Sequence, residues 1–345
     1  LCINYKYLDS LEIFMKIAVP DDISGAFRDS PETARLRAAA EVTIYGSRIA
    51  GTGDLIARIQ DAGIVLSFRP AFTRFPASVI AACPKLRMIC ISGTGVEDVD
   101  VSEAAKRGIA VANVRGSSNR AVAEHALALM LDVARNVSAQ DRAIRSGIWQ
   151  PQQGIELGGK TIGIVGLSAI AQQLVPLCAG IGMRVLSWSR DNSPERASAA
   201  GAIAVELDEL LAESDVISVH MRLFPELAGF FDRAKFARMK RGAIFINTAR
   251  GELVDEQALQ AAIEQGQLSG AGLDVFAEQP LPPEHPFRNL PNVAMTPSSA
   301  WNTADASGRM IRQSIDNVLA FIAGQPINVV NAAALAGAKH FGQDR

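Results

Sequence analysis

The sequence predicts an α/β protein built from two doubly wound parallel-sheet domains. Three observations carry that expectation. Short apolar, β-branched runs alternate with helical patterns through two separate blocks of chain, the rhythm of βαβ units. The length of 345 residues suits about two domains of ordinary size. Ala, Val, Ile and Leu dominate while aromatics make up only 6%, as suits helices packed on strands buried on both faces.

Charge and cysteine use narrow the class. Lys and Arg number 34 against 36 Asp and Glu, a net charge of −2, so the basic excess of a nucleic-acid or anionic-membrane binder is missing. No uninterrupted apolar run reaches the roughly 18–20 residues that a membrane helix requires. The expected partners therefore include neither nucleic acid nor membrane. Cys2, Cys83, Cys90 and Cys178 form no Cys-x-x-Cys pair and lie near no His at zinc-finger spacing. No metal site is expected, and unpaired thiols point to a reducing, cytoplasmic compartment.

Taken in order, residues 1–14 precede the first Met and lack both a basic start and a small-residue cleavage site. They are read as an upstream extension of the reading frame rather than a signal peptide. Strands are expected at 16–19, 63–67, 86–91 and 110–113, with helices at 31–40, 54–61, 76–82 and 101–107. One long helix is expected over 121–146. It is apolar on nearly every side through 126–133, so it should be buried between domains or between subunits. A Pro/Gln/Gly-rich break at 147–159 separates it from a second block. There the strands are expected at 161–165, 184–188, 215–220, 243–247, 270–274 and 292–296. A helix over 303–323 and a polar tail at 332–345 complete the chain.

The strongest local motif is Gly163-Ile164-Val165-Gly166-Leu167-Ser168-Ala169-Ile170-Ala171. It follows an expected strand and opens an expected helix, the setting of a dinucleotide fingerprint in a Rossmann domain. Gly166 supplies the tight turn. Ala169 and Ile170 begin the helix whose N-terminus faces a pyrophosphate, and Ala171 allows close helix packing. Ser168 departs from the pattern, because a side chain stands where backbone should approach phosphate. An ordinary strand–turn–helix is the competing reading. At the end of the next strand, Ser189 and Arg190 replace the acidic residue that would hold a ribose 2′-hydroxyl. They suit a 2′-phosphate and hence NADP, with NAD the alternative if Arg190 is merely a surface arginine.

Further motifs resemble those of the D-isomer-specific 2-hydroxyacid dehydrogenases, over about 15–331. Gly93-Thr94-Gly95-Val96-Glu97-Asp98-Val99-Asp100 resembles the family's substrate-carboxylate loop, and Ala121-Val122-Ala123-Glu124-His125-Ala126-Leu127 its interdomain helix. Ile246-Asn247-Thr248-Ala249-Arg250-Gly251-Glu252-Leu253-Val254-Asp255, Leu273-Asp274-Val275-Phe276 and Asn292-Val293-Ala294-Met295-Thr296-Pro297 are similar to its most specific segments. The resemblance implies a flavodoxin-like substrate domain (15–114 and 299–331) and a Rossmann NAD(P)-binding domain (115–298). It also implies a cleft between them and a homodimer. The implied reaction passes a hydride between nicotinamide and a small 2-oxo or 2-hydroxy acid such as glyoxylate or hydroxypyruvate. Arg250 matches the family's carboxylate-binding Arg, a role its bidentate guanidinium suits, and Thr94 and Gly95 join it in substrate binding. Asp274 matches the residue that contacts the nicotinamide end, and Thr248 is expected to bind cofactor. His220, ending the strand at 215–220, either lines the cofactor pocket or is satisfied locally.

Two catalytic positions depart from the family. Gln279 stands where the family has a Glu, and Ser298 where it has the His that the Glu holds. Neither replacement ionises near neutral pH, so both halves of the acid–base pair are gone. Glu278 and His285 are the nearest substitutes by sequence, His125 lies on the buried helix, and His340 in the tail. After His220, the positions of a family Leu-Pro-x-Thr-x-x-Thr segment hold Met221, Arg222, Phe224 and Leu227. Three readings follow: an NAD(P)-dependent dehydrogenase of weakened activity, a non-catalytic dinucleotide-binding sensor or dimer partner, or a damaged coding sequence.

Overall fold

The computed structural model describes residues 15–68 and 73–340; the expected extension, with Cys2, lies outside them. Among these residues the chain forms two compact units, one running to Ser118 and resuming at Thr303, the other spanning Asn119–Asn302.

The first unit begins with β1 (Lys16–Val19), α1 (Thr33–Ala39), β2 (Glu41–Ile44) and α2 (Thr52–Ile59), followed by β3 (Ile64–Phe68) and α3 (Ala77–Ala81). It continues through β4 (Met88–Ser92), α4 (Val101–Lys106) and β5 (Ala110–Asn113). Every residue of β3, β4 and β5 is buried, because helices cover both faces of an all-parallel sheet. The strand order β2-β1-β3-β4-β5 is the flavodoxin order, with its reversal between β1 and β3. Asp21, just after β1, fills that reversal. Its carboxylate accepts from Ser67 Oγ at 2.8 Å, Phe68 N at 3.1 Å and the Thr73 hydroxyl. Desolvation raises the pKa of this carboxyl against those bonds. The edge strand β2 went unread in the sequence because only its Val42 and Ile44 turn inward.

The second unit opens with α5 (Asn119–Arg135) and α6 (Val137–Arg145). These correct the single helix expected over 121–146. Asn136 takes a left-handed φ of +55°, and Asp132 reaches across the break to accept Ser138 N at 2.6 Å and the Ser138 hydroxyl. Within the chain Ala126, Leu129 and Met130 are buried, while Leu131 is 39% exposed. Then follow β6 (Thr161–Val165), α7 (Ala169–Gly180), β7 (Arg184–Trp188), α8 (Pro194–Ala200), β8 (Ile203–Ala204) and α9 (Leu207–Glu213). The unit closes with β9 (Val216–Val219), α10 (Arg233–Arg238), β10 (Ala243–Asn247), α11 (Glu256–Glu264), β11 (Leu268–Leu273) and β12 (Val293–Met295). The order β12-β11-β10-β9-β6-β7-β8 is the Rossmann arrangement with one added strand, reversing between β6 and β9. All its pairs are parallel, so every strand delivers its C-terminal end to the same edge of the sheet.

The chain returns to the first unit as α12 (Ala304–Ile322) and α13 (Ala332–His340). Thr303 caps α12, accepting Ala306 N at 3.1 Å. The helix lies on β4, where Ser314 Oγ meets Ser92 Oγ at 2.7 Å. In place of a purely polar tail, residues 332–340 are helical. Asn331 ties their start to β5, accepting Val111 N and donating to Ile109 O, both at 2.9 Å. Cys83, Cys90 and Cys178 are buried and unpaired, and desolvation pushes the Cys90 and Cys178 thiols up to about 12. Among the described residues no helix is long and apolar enough to cross a membrane.

Candidate dinucleotide and active site

Six strand ends converge on one edge of the second sheet. Gly166 follows β6, Ser189 follows β7, His220 follows β9, Thr248 and Arg250 follow β10, Asp274 follows β11, and Ser298 lies just past β12. Open α/β sheets bind ligands at this edge, in the crevice where strand order reverses. Here the reversal brings Gly166 against His220. Gly166 has φ +97°, and a Cβ there would lie 2.9 Å from the His220 carbonyl carbon and from Met221 N. Only glycine makes that turn.

Ser168 caps α7, its Oγ accepting Ala171 N at 3.3 Å. The unexpected side chain therefore folds back onto its own helix. Ala169 and Ile170 begin the first turn, whose N–H groups have no acceptor within a helix and favour an anion. At the far end of the crevice, Ser189 Oγ donates to Asp191 Oδ1 at 2.8 Å. The Arg190 guanidinium sits 5.0 Å above the Phe224 ring and 3.6 Å from Glu226. Two residues not singled out in the sequence join them. Arg196 pairs with Asp191 and donates to Leu167 O at 2.6 Å, so this end carries two guanidiniums, each with one carboxylate beside it.

His220 is buried, with Nε2 2.9 Å from Ser218 Oγ, so it is satisfied within its own strand. Desolvation pulls its pKa down to about 4. A His that resists its proton when folded makes the folded state lose stability as pH falls from about 6.5 toward 4. We expect His220→Gln to remove a slope worth about 2 kcal/mol between pH 8 and pH 5, at about 1.4 kcal/mol per pH unit from 6.5 downward, read as the difference between urea unfolding curves of the two proteins at those pH values. Equal slopes would show that His220 takes a proton freely.

The β10 and β11 loops are locked by one glycine. A Cβ on Gly251 would fall 1.9 Å from the Phe276 carbonyl carbon, so the Arg250 loop lies directly on Val275-Phe276-Ala277. Asn247 holds the loop from below, donating to Arg250 O at 2.9 Å and accepting Ala249 N at 3.0 Å. Arg250 is half-buried, with Nη1 donating to Ala249 O at 2.7 Å. The buried Thr248 Oγ1 has no hydrogen-bond partner among the described residues. An orphaned hydroxyl at this edge fits a ligand that supplies the missing partner, because leaving it unpaired costs about 1–3 kcal/mol.

Asp274, expected to touch the cofactor, has both oxygens engaged by the following loop. It accepts Thr296 Oγ1 at 2.6 Å, Ser299 N at 2.8 Å and Ala300 N at 3.0 Å. Its carbonyl accepts Ser298 N at 2.8 Å, holding Ser298 at a left-handed φ of +53°. His125 completes the group, with Nε2 2.9 Å from Thr296 Oγ1 and 3.6 Å from Asp274. Thr296 has one hydrogen and gives it to the carboxylate, so His125 Nε2 must be the donor to Thr296.

This cluster was missed in the sequence, although a signal existed. On α5, Val133, Leu129 and His125 follow at one-turn spacing; on β11, Gly270, Gly272 and Asp274 share one face. A Cβ on Gly270 would meet Val133 at 2.9 Å, and one on Gly272 would meet Leu129 at 2.8 Å. Four helical residues rise about 6 Å and two strand residues about 6.7 Å, so the next step puts His125 on Asp274. Gln279 is exposed, its Nε2 donating to Phe276 O at 3.1 Å. His285 is held by Glu256 at 3.3 Å, and Glu278 is exposed. In the first unit Thr94 is exposed, donating from Oγ1 to Val114 O at 3.2 Å, with Gly95 beside it.

Fold and strand-end site together have the architecture of a Rossmann dinucleotide-binding domain. A family profile for the D-isomer specific 2-hydroxyacid dehydrogenase, NAD binding domain, matches residues 127–300. A hydroxypyruvate reductase from Blautia hydrogenotrophica is 33% identical over 305 residues, 86% of this chain and 94% of that protein. A D-3-phosphoglycerate dehydrogenase from Archaeoglobus fulgidus is 39% identical over 269 residues. Those cover 76% of this chain but 50% of that one, so the chain spans about half the length of this relative. An acyclic imino acid reductase solved with NADPH and D-Arg superposes with a TM-score of 0.81 at 27% identity, over 92% of this chain and all of that one. The chain belongs to the D-isomer-specific 2-hydroxyacid dehydrogenase family.

Proposed function

We propose that this chain is an NAD(P)-dependent oxidoreductase acting on small 2-oxo and 2-hydroxy acids of the glyoxylate and hydroxypyruvate kind, with NADPH preferred. The observation that carries the reading is the placing of Gly166, the orphaned Thr248 hydroxyl and Arg250 along one sheet edge. When bound, the dinucleotide would supply or accept a hydride at the carbon bearing the substrate's oxygen. The α7 N-terminus would take the pyrophosphate, and Thr248 would pair with a polar group at the nicotinamide end. Arg250 would grip the substrate carboxylate through two parallel hydrogen bonds. Titration with NADPH followed by glyoxylate and hydroxypyruvate turnover tests the reading. Binding without turnover would leave a dinucleotide-binding sensor or dimer partner, and absence of binding would overturn it.

Arg190 supports the cofactor preference, being 72% exposed beside Ser189 and paired only at 3.6 Å with the exposed Glu226, a partner that a 2′-phosphate would displace. Arg190→Asp is expected to reverse the order of NADPH and NADH affinities. A charge-assisted contact of about 1.5–3 kcal/mol corresponds to roughly a ten- to hundredfold change. Unchanged affinities would remove Arg190 as the reader.

A homodimer is proposed on the apolar face of α6 and the segment after it. Ile144 is 56%, Ile148 54% and Trp149 87% exposed, a clustering that marks interaction surfaces. Trp149→Glu is expected to shift the mass in light scattering from dimer to monomer; a parent monomer would end this part of the proposal. The three buried thiols support a cytoplasmic setting.

A further inference from the structure

The positions of protons at this site bear on which double bond it can reduce. Reduction of a 2-oxo acid needs a hydride at carbon and a proton at oxygen, and a positioned acid contributes roughly 10²–10⁴-fold to such a step. Ser298 and Gln279 supply no such acid. His125 directs its Nε2 hydrogen at Thr296, whose own hydrogen goes to Asp274. His220 is buried, with a pKa pulled down to about 4, and Nε2 engaged by Ser218. His285 accepts Phe287 N at Nδ1 and turns Nε2 to Glu256. Asp274 holds its carboxylate under three donors. His125, His220 and His285 are thus each tied into the protein's own hydrogen bonding.

Resting on the reading above, we infer that the preferred substrate is an iminium, formed in solution from a 2-oxo acid and a primary amine or ammonia. Such a substrate brings its proton on nitrogen. The hydride from the reduced nicotinamide dinucleotide bonds to the former carbonyl carbon, and the C=N π pair moves onto nitrogen. An amino acid and the oxidised dinucleotide result, and no proton is drawn from the protein. The carboxylate remains for Arg250 to grip. Ser298, next to the Asp274 loop, is a neutral hydroxyl in place of an imidazole, so this position sets no cation against the iminium charge.

The test uses the whole protein with pyruvate alone and pyruvate with methylamine. NADPH oxidation is followed, and lactate and N-methylalanine are separated by mass spectrometry. NADPH oxidation is expected to rise at least tenfold with the amine, with N-methylalanine the main product. The amine-dependent rate should fall at high pH as the iminium loses its proton. In a second readout, independent of turnover, N-methyl-D-alanine with NADP⁺ should raise the melting temperature more than D-lactate with NADP⁺. Equal or faster reduction of pyruvate alone overturns the inference while leaving the dinucleotide and oxo-acid reading intact. If His125→Asn then abolishes that reduction, His125 is the acid. NADPH binding with neither product also overturns it, and failure to bind NADPH overturns both.

Discussion

The double variant Ser298→His, Gln279→Glu is expected to reduce glyoxylate about ten- to a hundredfold faster than the parent protein. A full acid–base pair is worth roughly 10²–10⁴-fold, or about 3–5 kcal/mol of barrier, and a graft should recover part of it. The geometry favours the attempt. Ser298 holds a left-handed φ of +53°, a conformation in which His is among the better tolerated residues. Residue 279 is exposed, so Gln279→Glu alone should change stability by no more than about 0.5 kcal/mol. Each single change should help little, because an imidazole without its carboxylate is neither held nor kept protonated. Rates for all four proteins with glyoxylate, and with glyoxylate plus methylamine, check the expectation. The double variant should shift preference toward the oxo acid by at least tenfold. No gain in a folded, NADPH-binding double variant would place the defect elsewhere.

Arg250→Ala is expected to lower kcat/KM by about 30- to 4,000-fold. Removing one partner of a hydrogen-bonded charge pair costs about 2–5 kcal/mol, at 1.4 kcal/mol per decade. Arg250→Lys should recover only part of the loss, since an ammonium lacks the planar fork that meets both carboxylate oxygens. The Asn247 bond to the Arg250 carbonyl survives the change, while the side-chain bond to Ala249 O is lost, so a modest drop in stability of about 1 kcal/mol is expected. A melting curve together with kinetics on substrates with and without a carboxylate separates the two effects. Equal losses on both substrate types would make Arg250 a support of the loop rather than a grip.

Much of the fold was legible because the central strands are continuous apolar runs. The expected strands at 16–19, 110–113, 161–165, 184–188 and 243–247 match β1, β5, β6, β7 and β10 end to end. Edges were harder. The strand β2 is half polar, and β8 has two residues, too short for any period to show. The break at Asn136 depends on a carboxylate at Asp132 capping six residues ahead, which no helical periodicity reveals. At the site, Gly166 was legible from the tight turn it makes, while Thr248, Arg250 and Asp274 came from motifs that resemble the family's; all four lie at strand ends. What escaped was contact between elements. Reading α5 alone makes His125 one more residue on a buried helix; only the pairing of its spacing with the glycines of β11 puts it beside Asp274. Arg196 escaped similarly, since its bond to Leu167 O spans 29 residues.

The clearance at Gly251 has a consequence for anyone wishing to redirect this site. With a Cβ placed 1.9 Å from the Phe276 carbonyl carbon, even alanine would push the two loops apart. Randomising 249–252 in search of a new substrate grip would therefore mostly sample distorted backbones. A productive library would keep 251 fixed and vary side chains that face away from that seam. Loosening the seam deliberately would call for paired changes on both loops, so the useful variants would lie at least two substitutions from the parent.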